Sequence, residues 1–273
     1  MLKGLNANGP FWAETADHLV ALGVQACRPD MRAYTDPFIF RQNEAEARGR
    51  YALLPIVHTL DHLAMIPADS PITDVELMNE PNINAYSPDR FGGNMARAAT
   101  AYADAIRPLM TECARRGFMP WIGCTDNLDD RSLRWLAAVL VHLPSDAIYG
   151  VSFHCYTTDP IARRAQLQQF KSLVGSRRII CTEFGVNVKR KERYGWFHLF
   201  TRVVLTSDAE ALRLLRAFFV DFEGIGCEAA YVYQIVNSPI DPYFQYGIAD
   251  HDANGWRWKP QAACFQAQCS AVR

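Results

Sequence analysis

Eight short apolar runs, most of them followed by a stretch of helical periodicity, restrict the fold of this chain more than any other feature. They are LKGLNA (2–7), GVQACRP (23–29), ALLPIVH (52–58), TDVELMN (73–79), FMPWIGC (118–124), YGVSFHC (149–155), RRIICTE (177–183) and AAYVYQI (229–235). A strand with one wet face alternates apolar and polar residues. Several of these runs are apolar almost throughout, which suits strands of a parallel sheet covered on both faces. Helical patterns lie between them, at 12–22, 94–116, 131–142 and 208–222. Pro108 is expected to interrupt the second of these. Ser207 is placed to cap the last, with Glu210 supporting its first turn. Strand–helix alternation predicts an α/β fold, specifically one (β/α)8 TIM barrel occupying residues 1–273 as a single domain, close to the roughly 250 residues such a barrel takes. A doubly wound open sheet is the alternative. Its nucleotide-binding forms lose weight, because neither GxGxxG nor GxxxxGK[ST] follows the first run.

Charge narrows the partners. Lys plus Arg number 28 and Asp plus Glu 29, a net charge of -1. Without a basic excess, nucleic acid and anionic membrane surfaces are not expected as partners. No apolar run reaches the 18 residues or so that a spanning helix needs, so no membrane insertion is expected. The eight cysteines contain no CxxC pair, and Cys27, Cys155 and Cys181 sit in strand-like runs where buried free thiols are expected. Cys264 and Cys269 fall on a stretch read as helical, at a spacing that does not make them face each other. Free thiols and an opening MLKGLNANGPFW without a leader's apolar stretch point to the cytoplasm for the sequence as given. A chain trimmed of a leader would instead be secreted or periplasmic. The sequence leaves oligomeric state open.

Polar residues end the apolar runs one after another: Asn6 and Asn8, Arg28 and Asp30, His58 and Asp61, Asn79 and Glu80, Asp126 and Asn127, His154 and Tyr156, Glu183, then Gln234 and Asn237. In a barrel these positions share the C-terminal rim, where catalytic groups project. Glu80 and Glu183 end the fourth and seventh runs, across the expected mouth from one another. An ionisable group there costs desolvation unless something pairs with it or uses it. Two facing carboxyl groups, one protonated and one ionised, are the minimum for glycoside hydrolysis.

These residues resemble glycoside hydrolase clan A. Asn79-Glu80-Pro81, His154-x-Tyr156 and Thr182-Glu183-Phe184-Gly185 follow in the clan's order, with Arg28 at the end of the second strand. The pattern is most similar to glycoside hydrolase family 5, the cellulase-like family. The stretch YGIADHDANGWRWKP (246–260) also resembles the clan's ending. The resemblance implies a retaining glycosidase acting on a β-linked poly- or oligosaccharide without a cofactor or metal. Glu80 would be the acid/base and Glu183 the nucleophile. Arg28 and Tyr156 would orient Glu183, Asn79 would meet the 2-hydroxyl of the attacked sugar, His154 would tune Glu80, and His58 would bind sugar. The clan's usual Trp at the end of strand eight is missing; Tyr233 or Gln234 stands in its region.

Trp12, Tyr86, Trp196 and Trp256 are further candidates, as platforms for the apolar faces of sugar rings; loop packing explains each as readily. Residues 184–207 add a basic and aromatic segment containing Lys189, Arg190, Lys191, Arg193, Tyr194 and Phe197. Bland readings stand beside the others too: Arg28 as an ion-pair partner of Asp30, His154 as a core histidine, Tyr156 as rim packing. Two other functions fit the pattern. One is a metal-dependent barrel hydrolase or isomerase using Glu80, His154, Glu183 and His58 or Asp126, which loss of activity with a chelator would reveal. The other is a non-catalytic carbohydrate-binding barrel, in which one of the two carboxylates would typically be missing.

Overall fold

A computed structural model describes residues 1–7, 13–194, 200–234, 246–252 and 255–265. The chain begins with β1 (Leu2–Ala7), α1 (Ala13–Leu22), β2 (Ala26–Pro29), α2 (Pro37–Ala47), β3 (Ala52–Leu53), β4 (Ile56–Val57), α3 (Leu60–Met65) and β5 (Asp74–Leu77). It continues through α4 (Met95–Arg116), β6 (Met119–Thr125), α5 (Asp130–His142), β7 (Gly150–Cys155), α6 (Pro160–Val174) and β8 (Arg178–Phe184). The last elements are β9 (Lys189–Tyr194), β10 (Phe200–Leu205), α7 (Asp208–Gly224), β11 (Ala229–Val232), β12 (Ala249–Asp252) and β13 (Gly255–Trp258).

Nine strands form one curled sheet in the order β3-β2-β1-β11-β8-β7-β6-β5-β4, with all pairings parallel. Its two outermost strands, β3 and β4, belong to one apolar run and are separated only by Leu54 and Pro55. Pro55 has no N–H to donate, so the run divides there. The gap is still bonded on both sides: Leu54 N–H donates to Cys27 O at 2.9 Å, and Glu76 N–H to Pro55 O at 3.0 Å. Asp30 and Ile56 add a parallel bridge.

Helices cover the outer face of this sheet. Phe153 and Phe184 project outward from β7 and β8 onto Phe170 of α6 and Phe218, Phe219 and Phe222 of α7, with ring centroids 4.5–5.9 Å apart. Each fully buried ring contributes about 1.5–3 kcal/mol, so this cluster fixes the two strands that carry His154 and Glu183. A smaller apolar group, including Ala26, Leu54, Trp121, Ile180 and Tyr231, forms the other buried cluster. Buried polar side chains of β2, β5, β7 and β8 (Arg28, Glu76, Ser152, His154 and Thr182) pack together toward the C-terminal ends of the strands.

Some local expectations differ from what is seen. Helix α4 runs unbroken through Pro108. Asp104 and Pro108 both lie on its exposed side, so water can satisfy the carbonyl that Pro108 leaves without a donor. Helices α2, α3 and α6 add to the four expected stretches. Ser207 does cap α7, accepting from Glu210 N–H. Residues 184–207 hold an antiparallel strand pair, β9–β10, and the described part of the expected final helix is a 3-10 turn over Pro260–Cys264. Cys269 lies outside the described residues; the seven described cysteines named above and elsewhere in the chain are free and buried. No helix among the described residues is long and apolar enough to cross a membrane.

Candidate active site

Backbone irregularities bring the site together. Thr182 and Glu183 are consecutive, so regular pleating would send them to opposite faces. The β7–β8 register shifts between the Phe153 and His154 pairings, leaving His154 beside Glu183. Such a shift re-aims side chains, and here both Thr182 and Glu183 reach the polar layer. A second shift, between Ile122 and Thr125 of β6, coincides with Gly123 at φ +80° and turns Cys124 to the same layer. After β5, Met78 (φ +67°) and Glu80 (φ +46°) both take the left-handed conformation. For residues other than glycine this costs about 1–3 kcal/mol each, and it lifts Glu80 onto the rim. Asn82 holds that turn, donating from Nδ2 to Asp126 Oδ1 at 2.5 Å and accepting from Asp126 N–H at 3.1 Å.

Arg28 is the hub. It is 1% exposed, and its guanidinium donates to five partners, of which Cys124 Sγ is the most distant at 3.7 Å from Nη2. Nε reaches Glu76 Oε2 at 2.5 Å and Nη1 reaches Glu183 Oε1 at 2.6 Å. Nη1 also reaches Asn6 Oδ1 at 2.7 Å, and Nη2 reaches Asn79 Oδ1 at 2.6 Å. The second oxygen of Glu183 accepts from Tyr156 OH at 2.7 Å. Glu183 is therefore held at both oxygens, at 7% exposure. Glu76 is fully buried and accepts a further bond from Thr182 Oγ1 at 2.8 Å. Burial alone would raise its pKa, but Arg28 and His154 outweigh that and hold it below the ordinary carboxylate range.

Glu80 sits in a different environment. Its Oε1 lies 3.0 Å from His154 Nδ1 and its side chain is 24% exposed. Burial pushes its pKa up, while the hydrogen bond and charge of His154, helped by Arg28 and Arg32, bring it below its ordinary value. Burial opposes a charge on His154. Cys124, Glu183 and Glu80, facing its two nitrogens, overcome that and carry the imidazole well above its ordinary range. One oxygen of Glu80, one nitrogen of His154 and one oxygen of Glu183 lie within 4.8 Å of one another. Those three residues could each offer an atom to a metal ion, but both nitrogens of His154 already face protein partners.

A cavity of about 790 Å³ opens over this layer, lined by Arg28, Asn79, Glu80, Tyr156 and Glu183 among others. Asn6, Asp30, Arg32, Asp126, Asn127, Tyr233 and Tyr246 also line it. Another cavity of about 590 Å³, toward the N-terminal ends of the strands, has its Arg178 and Glu228 paired and its Asp74 bonded to Trp121 Nε1.

Several expected positions fall elsewhere. His58 does not line the site cavity; its Nε2 lies 3.2 Å behind Asp30 Oδ1. Asp30 is bonded by Arg32 and not by Arg28. Gln234 is buried and its carbonyl accepts from Ile248 N–H, so Tyr233 and not Gln234 reaches the cavity. Tyr86 packs on Tyr102, ring centroids 5.5 Å apart. Trp12 and Trp196 lie outside the described residues, as does the side chain of Trp256. Glu76, Cys124, Thr182 and Tyr246 were missed as site residues. Glu76 had a signal: a carboxylate inside the apolar run VELM, where only a partnered charge can be buried.

No protein-family model matches the chain, and no curated protein sequence resembles it. Solved structures do share its fold. A GH128 (subgroup I) endo-β-1,3-glucanase from Amycolatopsis mediterranei, in complex with laminarihexaose, superposes with a TM-score of 0.62 over 97% of this chain and 98% of its own, at 14% identity. An endo-β-1,4-glucanase from Xanthomonas axonopodis pv. citri gives 0.61 over 97% and 96%, also at 14% identity. A Rhizomucor miehei β-1,3-glucanosyltransferase in complex with laminaritriose gives 0.64 over 95% and 96%, at 8% identity. At these identities the likeness is one of fold.

Proposed function

We propose that this chain is a retaining glycoside hydrolase, a single closed (β/α)8 barrel domain that cleaves β-linked poly- or oligosaccharides by double displacement. The observation that carries this reading is the pairing of Glu80 with Glu183. Their carboxyl oxygens approach within 4.8 Å across one cavity, in surroundings that suit opposite tasks. Retaining enzymes place the two groups about 5–5.5 Å apart, whereas inverting ones leave about 6.5–9.5 Å for a water. The named activities of the structural neighbours make β-1,3- and β-1,4-glucans the first substrates to try.

Glu183, ionised and fixed by Arg28 and Tyr156, attacks the anomeric carbon. Glu80 gives its proton to the departing glycosidic oxygen, and a sugar bonded to Glu183 results. Glu80, now ionised, takes a proton from water. The water attacks the same carbon, Glu183 leaves, and both side chains return to their starting states. Glu80 must therefore hold a proton when the substrate is bound. In the open site Glu80 is ionised beside a protonated His154. A sugar filling the cavity excludes water, and a dry site favours the neutral arrangement, protonated Glu80 beside neutral His154, over a separated charge pair. Asn79, bonded by Arg28 at 2.6 Å, bonds the 2-hydroxyl of the attacked sugar in this reading. Tyr233, Tyr246 and Tyr156, with ring centroids 5.4–6.3 Å apart, offer the aromatic wall that a strand-eight Trp would otherwise supply.

Proton NMR of the first-formed product tests the mechanism. A retaining enzyme releases the β-anomer first from a β-glucan, and mutarotation follows. Initial release of the α-anomer would overturn the reading.

A further inference from the structure

We propose that Cys124 is a positioning residue whose thiol determines which nitrogen of His154 carries the proton, and thereby which oxygen of Glu80 is left to protonate a leaving group. The kinetic part rests on Glu80 being the acid/base.

His154 is fully buried between three elements. Its Nδ1 faces Glu80 Oε1 at 3.0 Å, beyond the end of β5. Its Nε2 faces Cys124 Sγ on β6 at 2.9 Å, and Glu183 Oε1 on β8 lies 3.6 Å away. A neutral imidazole has one N–H, and its position decides the fate of Glu80. With the hydrogen on Nε2, that N–H points to sulfur or to the Glu183 carboxylate, and Nδ1 can only accept. Glu80 would then carry its proton on Oε1, directed at the imidazole and away from any sugar. With the hydrogen on Nδ1, Oε1 accepts it, and the catalytic proton belongs on Oε2.

Glu183 attracts the Nε2 proton, so the second arrangement needs a donor aimed at Nε2. Among the described residues, Cys124 is the one group in contact that can donate there, because the other contact is a carboxylate. Burial raises the Cys124 thiol pKa, so it keeps its hydrogen. Thr182 Oγ1, 3.5 Å from the sulfur, already donates to Glu76, and the thiol's other acceptor, Asn79 Oδ1, is farther at 3.7 Å and already bonded by Arg28 at 2.6 Å, so His154 Nε2 at 2.9 Å is the nearest acceptor for S–H. The thiol is also reversible in role. It accepts Nε2–H when His154 is an imidazolium, and donates S–H to Nε2 when the ring is neutral. Nδ1–H stays on Glu80 Oε1 in both states, so the proton that the imidazolium gives up leaves from Nε2 to solvent, and Glu80 takes its own on Oε2 from water in the cavity.

The test joins two measurements on the full chain. Proton–nitrogen correlation spectra of histidine-labelled protein, with His154→Gln identifying the signal, report the tautomer whatever the enzyme's substrate. At a pH high enough to remove the imidazolium proton, wild type and Cys124→Ser should show neutral His154 protonated at Nδ1, and Cys124→Ala at Nε2. In kinetics, Cys124→Ala should lower kcat on an unactivated glycoside about tenfold, part of the ~10²–10⁴ that a general acid supplies. Hydrolysis of an activated aryl glycoside should change little, and Cys124→Ser should restore the difference. Cys124→Val, which leaves no cavity where the sulfur was, replaces the alanine variant if that fails to fold. An Nδ1-protonated His154 in the variant lacking the thiol overturns the proposal. So does an equal loss on both glycosides. A wild-type chain that cleaves no glycoside would defeat the glycosidase reading instead, and the spectra would still decide the role of Cys124.

Discussion

Arg28 donates to Glu183 and to Glu76 from two edges of one guanidinium, at 2.6 and 2.5 Å. A buried cation shared between two carboxylates holds each less firmly than it would hold one. Glu183, the nucleophile of the proposed mechanism, is thus fixed in place without being fully neutralised, which would leave it reactive. A planar fork achieves this; a single ammonium cannot.

Replacing Arg28 with Lys should therefore be severe despite the conserved charge. Lysine cannot reach Glu76, Glu183 and Asn79 together. We expect kcat/KM to fall by ~10²-fold or more, as when a donor to a reacting centre is removed. The melting temperature should also drop, because one carboxylate is left buried without its partner. Steady-state kinetics and thermal denaturation of the same preparation check both effects.

Glu76 links stability to pH. Its folded pKa lies below the ordinary value of 4.5, through Arg28 and His154 and despite its burial. A depressed carboxylate stabilises the fold at pH above its unfolded value, and this contribution is lost as pH falls through the folded value. Chemical denaturation at successive pH values should show stability declining below about 4.5. In Glu76→Gln that decline should be shallower, since the amide does not titrate. The variant should also lose turnover, because Arg28 then bears on Glu183 alone.

Glu80→Ala should separate substrates by leaving group. A poor leaving group needs the proton, and an activated aryl group does not, so turnover of the first should fall by ~10²–10⁴-fold and that of the second much less. Comparing kcat for the two types of glycoside decides the matter. Equal loss on both would contradict the acid role.

Gly185 permits the aromatic wall. A Cβ there would meet the Tyr233 carbonyl at 2.7 Å and the Tyr246 ring at 2.8 Å. Gly185→Ala should displace both tyrosines, costing about 1–3 kcal/mol in overpacking. KM should rise several-fold, with kcat changing less. Substrate titrations on the folded variant measure it.

Much of this was legible in the sequence. The apolar runs marked every strand position of the curled sheet, since burial on both faces imposes continuous hydrophobicity. Arg28, Glu80, His154, Tyr156 and Glu183, which the structure brings together, could be picked out because polar residues ending apolar strands stand out. Cys124 and Thr182 were not found. They enter the site through register shifts, and a shift has no signature in residue type alone. His58 and Gln234 were placed by pattern, and side-chain direction sent them behind Asp30 and away from the cavity. The Pro108 break failed because solvent stands in for one missing donor on the exposed side of a helix.

Trapping with a panel of 2-fluoro-β-glycosides, followed by peptide mass spectrometry, tests the central claim most directly. The account predicts one equivalent of sugar bonded to Glu183, with loss of activity in step with labelling. A label on another residue, or full turnover of the parent glycoside by Glu183→Ala, would contradict it.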